Sequence, residues 1–238
     1  MTPQDALSAI AALAPTQSAA LEAPNTSTKS GVPAADLDLL VRDWRATLDL
    51  ETRTSLADAL WQTPLEEARV AAAKLLTQAR IRPDDSAVWQ RIADWSSDLN
   101  SRATADALAI AGQKRLVADP SRLDQMSNWA TVPNPWVRRA LFVMTLPWAA
   151  MRNPKPQDLD VQAQVIVWAT ALARDPSAVV QTALGAWVIG LTRHDPAQVQ
   201  AFMTEHGAGL PRHIRDDITK ALQRNTPNLA LASGPSLA

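Results

Sequence analysis

The chain has 238 residues, 47% hydrophobic and 20% charged, with a formal net charge of −1; that is long and apolar enough for a continuous buried core and excludes a disordered chain. It has no Cys, which excludes disulfides, thiolate metal centres and a Cys nucleophile. No uncharged apolar stretch approaches about 18 residues, so no membrane span is expected, and the opening Met1-Thr2-Pro3-Gln4-Asp5 lacks the basic start of a secretory signal, so a cytoplasmic location is expected.

Taken in order, the apolar pattern Ala6 to Leu13 predicts a loosely attached first helix, followed by a polar, Pro-bearing loop from Glu22 to Gly31. Leu37, Leu40, Val41 and Trp44 recur at i, i+3, i+4 and i+7, the face of an amphipathic helix. Thr54 to Trp61 reads as a short helix. The next opens at Pro64-Leu65-Glu66-Glu67, with Thr63 as cap and Glu near the positive end of the dipole, and runs to Leu76. Pro83-Asp84-Asp85 starts a helix carrying Val88, Trp89, Ile92 and Trp95, and Ser101 to Val117 follows. Further helices start at Asp119-Pro120-Ser121 and Asn134-Pro135-Trp136. Others cover Leu159 to Ala173, Val179 to Leu191, Val199 to Met203 and Ile214 to Leu222. The small, polar tail from Thr226 is expected to be disordered.

Asp-Pro followed by Ser or Ala recurs at 119, 175 and 195, each time before an apolar run. Strand signals are almost absent: there is no alternating Val/Ile/Thr run and no Asn-Gly or Asp-Gly hairpin. Short helices joined by Pro-bearing loops, pairing at about 40 residues, predict an all-α fold, an α-solenoid or irregular bundle of stacked antiparallel pairs. The expected organisation is an N-terminal helix and flexible loop over 1–30, a repeat domain over 31–224 and a tail over 225–238.

Charge is unevenly spread. From Asp36 to Arg69 there are eight acids against four bases, whereas Asn134 to Pro156 holds Arg138, Arg139, Arg152 and Lys155 and no acid. A local basic surface binds phosphate even when the total charge is near zero; the alternative is a chance cluster on a solvated face. There are nine Trp, two Phe and no Tyr. Trp95, Trp129 and Trp168 are expected as core wedges, and Trp187, in line with Leu184 and Leu191, favours the core as well. His194, His206 and His213 have no metal-ligand spacing, and there is no phosphate-binding Gly loop, so neither a metal nor a cofactor is expected.

Four stretches, in order, resemble the AlkD-like DNA alkylation repair family across roughly residues 30 to 205. The first is Ser30-Gly31-Val32-Pro33 with a helix ending at Trp44. The second is Leu60-Trp61, then Glu67-Ala68-Arg69 and a helix ending Leu75-Leu76. The third is Trp89 and Trp95, then Arg102-Ala103-Thr104-Ala105-Asp106, where the family has Trp-x-x-x-Asp. The fourth is Asn134-Pro135-Trp136-Val137-Arg138-Arg139-Ala140, similar to the family's Trp-x-x-Arg-Ala. A later segment, Val180 to Trp187, resembles one in which a Trp directly follows the Gly; here Ala186 follows Gly185 and Trp187 comes one place late.

The resemblance implies a curved HEAT-like repeat α-solenoid that grips duplex DNA. It implies an N-glycosylase acting, as an expected monomer, on cationic alkylated purines such as 7-methylguanine and 3-methyladenine. Cleaving an N-glycosidic bond builds positive charge on the deoxyribose, and a carboxylate beside the sugar stabilises it. Asp106 takes that part by resemblance, and Arg139 that of a phosphate clamp. Arg138, Trp136, Trp187 and Arg152 are further DNA-contact candidates. Arg102, where the family has Trp, either pairs with Asp106 and partly neutralises it or adds a phosphate contact. Competing readings are a DNA-binding solenoid without catalysis and a protein-binding HEAT scaffold. Read as ordinary structure, Asp106 is a helix-surface acid and Arg139 a solvated arginine.

Overall fold

The structure is a computed structural model that describes residues 1–15 and 29–225. Most of the expected Glu22–Gly31 loop and the tail from Thr226 lie outside the described residues. Among those described there is no strand, and the α-helices are α1 (Pro3–Ala12), α2 (Ala34–Thr47), α3 (Leu50–Trp61), α4 (Glu66–Leu75), α5 (Ser86–Trp95), α6 (Arg102–Ala118), α7 (Pro135–Ala149), α8 (Pro156–Leu172), α9 (Ala178–Leu191), α10 (Pro196–His206) and α11 (Arg212–Asn225). The chain divides into two compact units, Met1–Asp119 and Pro120–Ala238. The boundary falls at the first of the three Asp-Pro dipeptides.

Local chemistry sets the helix starts. The Thr2 hydroxyl accepts from the Asp5 amide at 3.1 Å while the Asp5 carboxylate accepts from the Thr2 amide at 2.9 Å, a reciprocal capping box. Asp49, Ser101, Asn134 and Asp195 cap α3, α6, α7 and α10 through their side chains. Pro stands in the first turn of α1, α7, α8 and α10, where its missing N–H leaves no helical bond unmade. Two starts differ from the sequence expectation. Thr63 does not cap α4: its hydroxyl donates back to the Leu60 carbonyl at 2.8 Å, closing the end of α3, and α4 begins at Glu66. The Asp119-Pro120 start yields a 3₁₀ segment, Pro120–Met126, rather than an α-helix.

In the first unit α2, α4 and α6 pack side by side in one row, with α3 behind α4, α5 behind α6 and α1 against α3 and α4. The middle helix α4 is closed on nearly every side, which its run of fully buried Ala68, Ala71, Ala72 and Ala73 allows, since a methyl group lets neighbouring backbones come near. The first helix is not loosely attached: Ala6 and Ile10, one turn apart, are fully buried against α3 and α4. In the second unit α7, α9 and α11 form the corresponding row, with α8 behind α7 and α9, and α10 behind α9 and α11. Gly185 permits the contact of α9 with α11, for a Cβ there would stand 2.7 Å from the Ile214 side chain.

Tryptophan fills both cores. Eight of the nine are buried; Trp61 and Trp95 stack with ring centres 4.6 Å apart, and only Trp136 is half-exposed. The expected core positions Trp95, Trp129 and Trp168 are all buried.

The repeat is visible in polar ties. Glu67 accepts from the Ser30 amide, Trp61 donates to Asp98, Arg115 donates to the Gln78 carbonyl, and Arg138 donates to Asp175. Each of these bonds spans 37 residues. That is the length of one helical hairpin plus its connection, close to the spacing read from the sequence.

Candidate functional site

The candidate residues fall in both units, and each unit is described by itself. In the first, Asp106 and Arg102 stand on the first two turns of α6, whose start is fixed by the Ser101 hydroxyl accepting from the Thr104 amide at 3.3 Å. The buried face of α6 is Thr104, Ala105, Leu108, Ala111, Gly112 and Arg115. Its opposite stripe, Ala103, Asp106, Ile110 and Val117, is open or half-open at helical spacing. Asp106 is therefore a partly solvated carboxylate, with 31% of its side chain exposed, and Arg102 lies over it one turn earlier with 69% exposed. The Arg102 Nε donates to Asp106 Oδ2 at 3.4 Å. This is a long, exposed ion pair of the kind that contributes at most about 1 kcal/mol. It leaves the carboxylate within reach of solvent while placing a positive charge beside it.

In the second unit the basic stretch from Asn134 to Pro156 is not a four-charge surface. Arg138 Nε and Nη2 donate to the two Asp175 carboxylate oxygens at 2.7 and 3.2 Å, and Nη1 donates to the Val132 and Pro133 carbonyls at 2.7 and 2.8 Å. Its side chain is 11% exposed and that of Asp175 is 4%. Asp175 Oδ1 also accepts from the Ser177 amide at 2.8 Å, so one carboxylate holds both the turn into α9 and the guanidinium of α7. Arg138 thus acts as an internal tie, with its Nε, Nη1 and Nη2 each donating to an acceptor within the protein. Arg139 is 5% exposed, and its Nη1 donates to the Val179 carbonyl at 3.1 Å near the start of α9. The chance-solvation alternative for Arg139 is excluded by that burial. Only Arg152 and Lys155, in the connection from α7 to α8, are exposed.

Trp187 is completely buried, and its indole N–H donates to the Thr145 carbonyl at 3.1 Å. It takes the core position that its alignment with Leu184 and Leu191 favoured, and it has no surface with which to touch DNA. Ala186, beside it, is exposed. Trp136 stands in the first turn of α7, where its amide donates to Asn134 Oδ1 at 2.9 Å. Being the single half-exposed tryptophan, it has a ring surface available to a partner.

Sequence reading passed over one group. Arg42, Arg45 and Lys74 gather at a pocket on the row of α2, α4 and α6. They lie in and just after the stretch that sums to net acidic, which hid them. The signal was present: Asp38, Val41, Arg42 and Arg45 recur at i, i+3, i+4 and i+7 on one face of α2. Among the described residues no group of three or more His, Cys, Asp or Glu is arranged to hold a metal ion, and no helix is long and apolar enough to cross a membrane.

Against known proteins, residues 4–222 match the family model described as DNA alkylation repair enzyme. No curated protein sequence matches. Two solved structures share the fold. The structure titled AlkD2 from Streptococcus mutans is 17% identical, covering 81% of this chain and 89% of that one, with a TM-score of 0.58. That of smu.31 from Streptococcus mutans UA159 is also 17% identical, covering 80% and 91%, with a TM-score of 0.57.

Proposed function

The chain belongs to the DNA alkylation repair enzyme family, and from that we propose that it is a DNA glycosylase, acting on cationic alkylated purines in duplex DNA. The observation that carries the reading is Asp106. It is a carboxylate on the open stripe of α6, 31% exposed, and the sequence resemblance matches it to the family's own carboxylate. In the proposed reaction the bond between the purine nitrogen and C1′ breaks, and its electron pair neutralises the cationic base. The deoxyribose is left with positive charge, which the Asp106 carboxylate stabilises electrostatically. Water adds its oxygen to C1′ and loses its proton to Asp106 or to solvent. The leaving group is already a cation, so no strong general acid is required.

For DNA contact we assign Arg152 and Trp136, which are exposed and half-exposed, and Arg102 at the edge of α6. Arg139 is assigned by its match to the family's arginine, since its burial offers little accessible surface. Alkylated duplex DNA is the proposed partner, a monomer the proposed state and the cytoplasm the proposed location.

A second reading, a DNA-binding protein without catalysis, is favoured by one observation. The Arg102–Asp106 pair lowers the net negative charge available to a developing sugar cation. The two readings separate in one assay: duplex DNA carrying a single 7-methylguanine is incubated with the protein and with Asp106→Asn, and free base and abasic sites are measured. Release that depends on Asp106 supports the glycosylase. Retained binding of the duplex without release supports the second reading, and absence of binding at low salt removes both.

A further inference from the structure

Within the second unit, α8 has two contrasting faces. Val161, Val165, Trp168, Ala169 and Leu172 are buried. On the opposite side Asp160, Ala163, Val167, Thr170, Ala171 and, just past the helix end, Arg174 are exposed, with Gln164 half-exposed. They share one stripe, since seven residues make two turns to within about 20°. Leu159, exposed, and Ile166, half-exposed, border that stripe on one side. Val167, 60% exposed, is the most open large hydrophobic side chain among the described residues, and Leu159 is 50% exposed. A solvated helix face ordinarily carries charge along its length. This one carries charge only at its ends, Asp160 and Arg174, each seven residues from Val167. Neither makes an ion pair among the described residues. Asp175, next to Arg174, is committed to Arg138, and Glu205, which borders a recess with Arg174, lies against His206 at 3.5 Å.

An apolar strip with an acid at one end and a base at the other is complementary to itself reversed. We propose that α8 is a self-association surface, on which two copies of the chain pair antiparallel across a two-fold axis at Val167. In such an isologous contact residue i meets j and j meets i. Val167 meets its counterpart on the axis, and Ala163 faces the partner's Ala171, small side chains that let the helix axes approach to about 8 Å. About 10 Å to either side of the axis, Asp160 meets the partner's Arg174 and Arg174 the partner's Asp160. Ile166 and Leu159 of both copies close one edge of the contact. A DNA backbone would be repelled by Asp160 and gain nothing from Val167. A lipid surface calls for several basic residues beside the apolar strip. A second copy is therefore the occupant that the charges select. The strip is only about four turns long, so the pairing is of the weak, transient class. The chain is the monomer proposed above when dilute and a dimer only when concentrated.

Sedimentation velocity of the full chain, from low to high micromolar concentration, tests the surface. The weight-average mass is expected to rise from that of one chain toward that of two. Val167→Glu sets two carboxylates together on the axis and should weaken pairing at least about tenfold. Asp160→Arg and Arg174→Asp, each alone, place like charges opposite each other and should each weaken it at least about fivefold. An equimolar mixture of those two variants should pair within about twofold of the parent, because each guanidinium again meets a carboxylate. Circular dichroism checks the fold of each variant, and rescue by mixing is not open to a misfolded chain. A chain that stays monomeric throughout, association that Val167→Glu leaves intact, or a mixture no stronger than its components would each overturn the proposal. No DNA enters this measurement, so its outcome and that of the glycosylase assay are independent.

Discussion

The two units handle charge in opposite ways. In the first, Asp106, Arg102, Arg42 and Arg45 stand on open helix faces, and the Arg102–Asp106 pair is long and solvated. In the second, half of the basic cluster between Asn134 and Pro156 is turned inward, with Arg138 locked to Asp175 and Arg139 to a helix carbonyl. A guanidinium drawn into a core is fixed by several acceptors and becomes part of the scaffold; the same group on an open stripe keeps its donors for a ligand. Local charge in a sequence therefore says little about function until burial is known.

The comparison breaks first at its extremes. Asp106→Asn is expected to lower release of 7-methylguanine by about 10²–10³-fold, the range for losing one transition-state stabilising group, while duplex affinity stays within about twofold. Unchanged release would move Asp106 into the scaffold class. Asp175→Ala strands the Arg138 guanidinium in a nearly dry site, and breaking such a pair costs about 3–5 kcal/mol. Urea denaturation should therefore show a large loss of stability, whereas Arg102→Gln should show almost none. A stable Asp175→Ala protein would mean the pair is not the tie described.

Arg102→Gln sharpens the contrast further. Removing an exposed cation beside Asp106 should raise base release by about two- to fivefold, in line with a pair worth at most about 1 kcal/mol. A fall in duplex affinity instead would give Arg102 to phosphate binding. Arg152→Glu should weaken duplex binding modestly and flatten its salt dependence by roughly one unit of slope, measured by fluorescence anisotropy over a salt series. The smallest effect concerns acid. Hydrogen bonds to Thr2, Thr52 and Ser86 hold the Asp5, Asp49 and Asp84 carboxyls below their ordinary 3.8. Their contribution is complete above that value and is lost as pH falls through the lowered folded values. Amide protection at the first turns of α1 and α3, taken relative to intrinsic exchange, should accordingly fall at pH 3 but not at pH 5.

Most of the fold was legible because it rests on local chemistry. Apolar spacing marked α2 and α5, and Pro with a capping side chain marked the starts of α7 and α10. The errors are physical too. Thr63 carries a hydroxyl that serves a helix end as well as a helix start, and only the geometry decides which. Asp119-Pro120 has the same local chemistry as Asp195-Pro196, yet one leads to a 3₁₀ turn and the other to an α-helix. At the candidate site, Asp106 and Arg139 are named by the resemblance and not by any local pattern of their own. Sequence could not foresee that Arg138 would find Asp175 37 residues away, because that partner is brought near only by the stacking of one hairpin on the next. The pocket of Arg42, Arg45 and Lys74 was obscured for the same reason: its third cation comes from a different helix.

The polar ties that span 37 residues have a consequence for how such a chain can change in length. Each tie reaches one hairpin along and no further, so its register depends on the count of residues within a single repeat. Adding or deleting a whole hairpin at one of the Pro-bearing connections would leave every remaining tie facing its partner. Adding half of one would strand a guanidinium or a carboxylate at each junction it displaced. Growth of this molecule is thus quantised by its own hydrogen bonds, in steps of one helical pair.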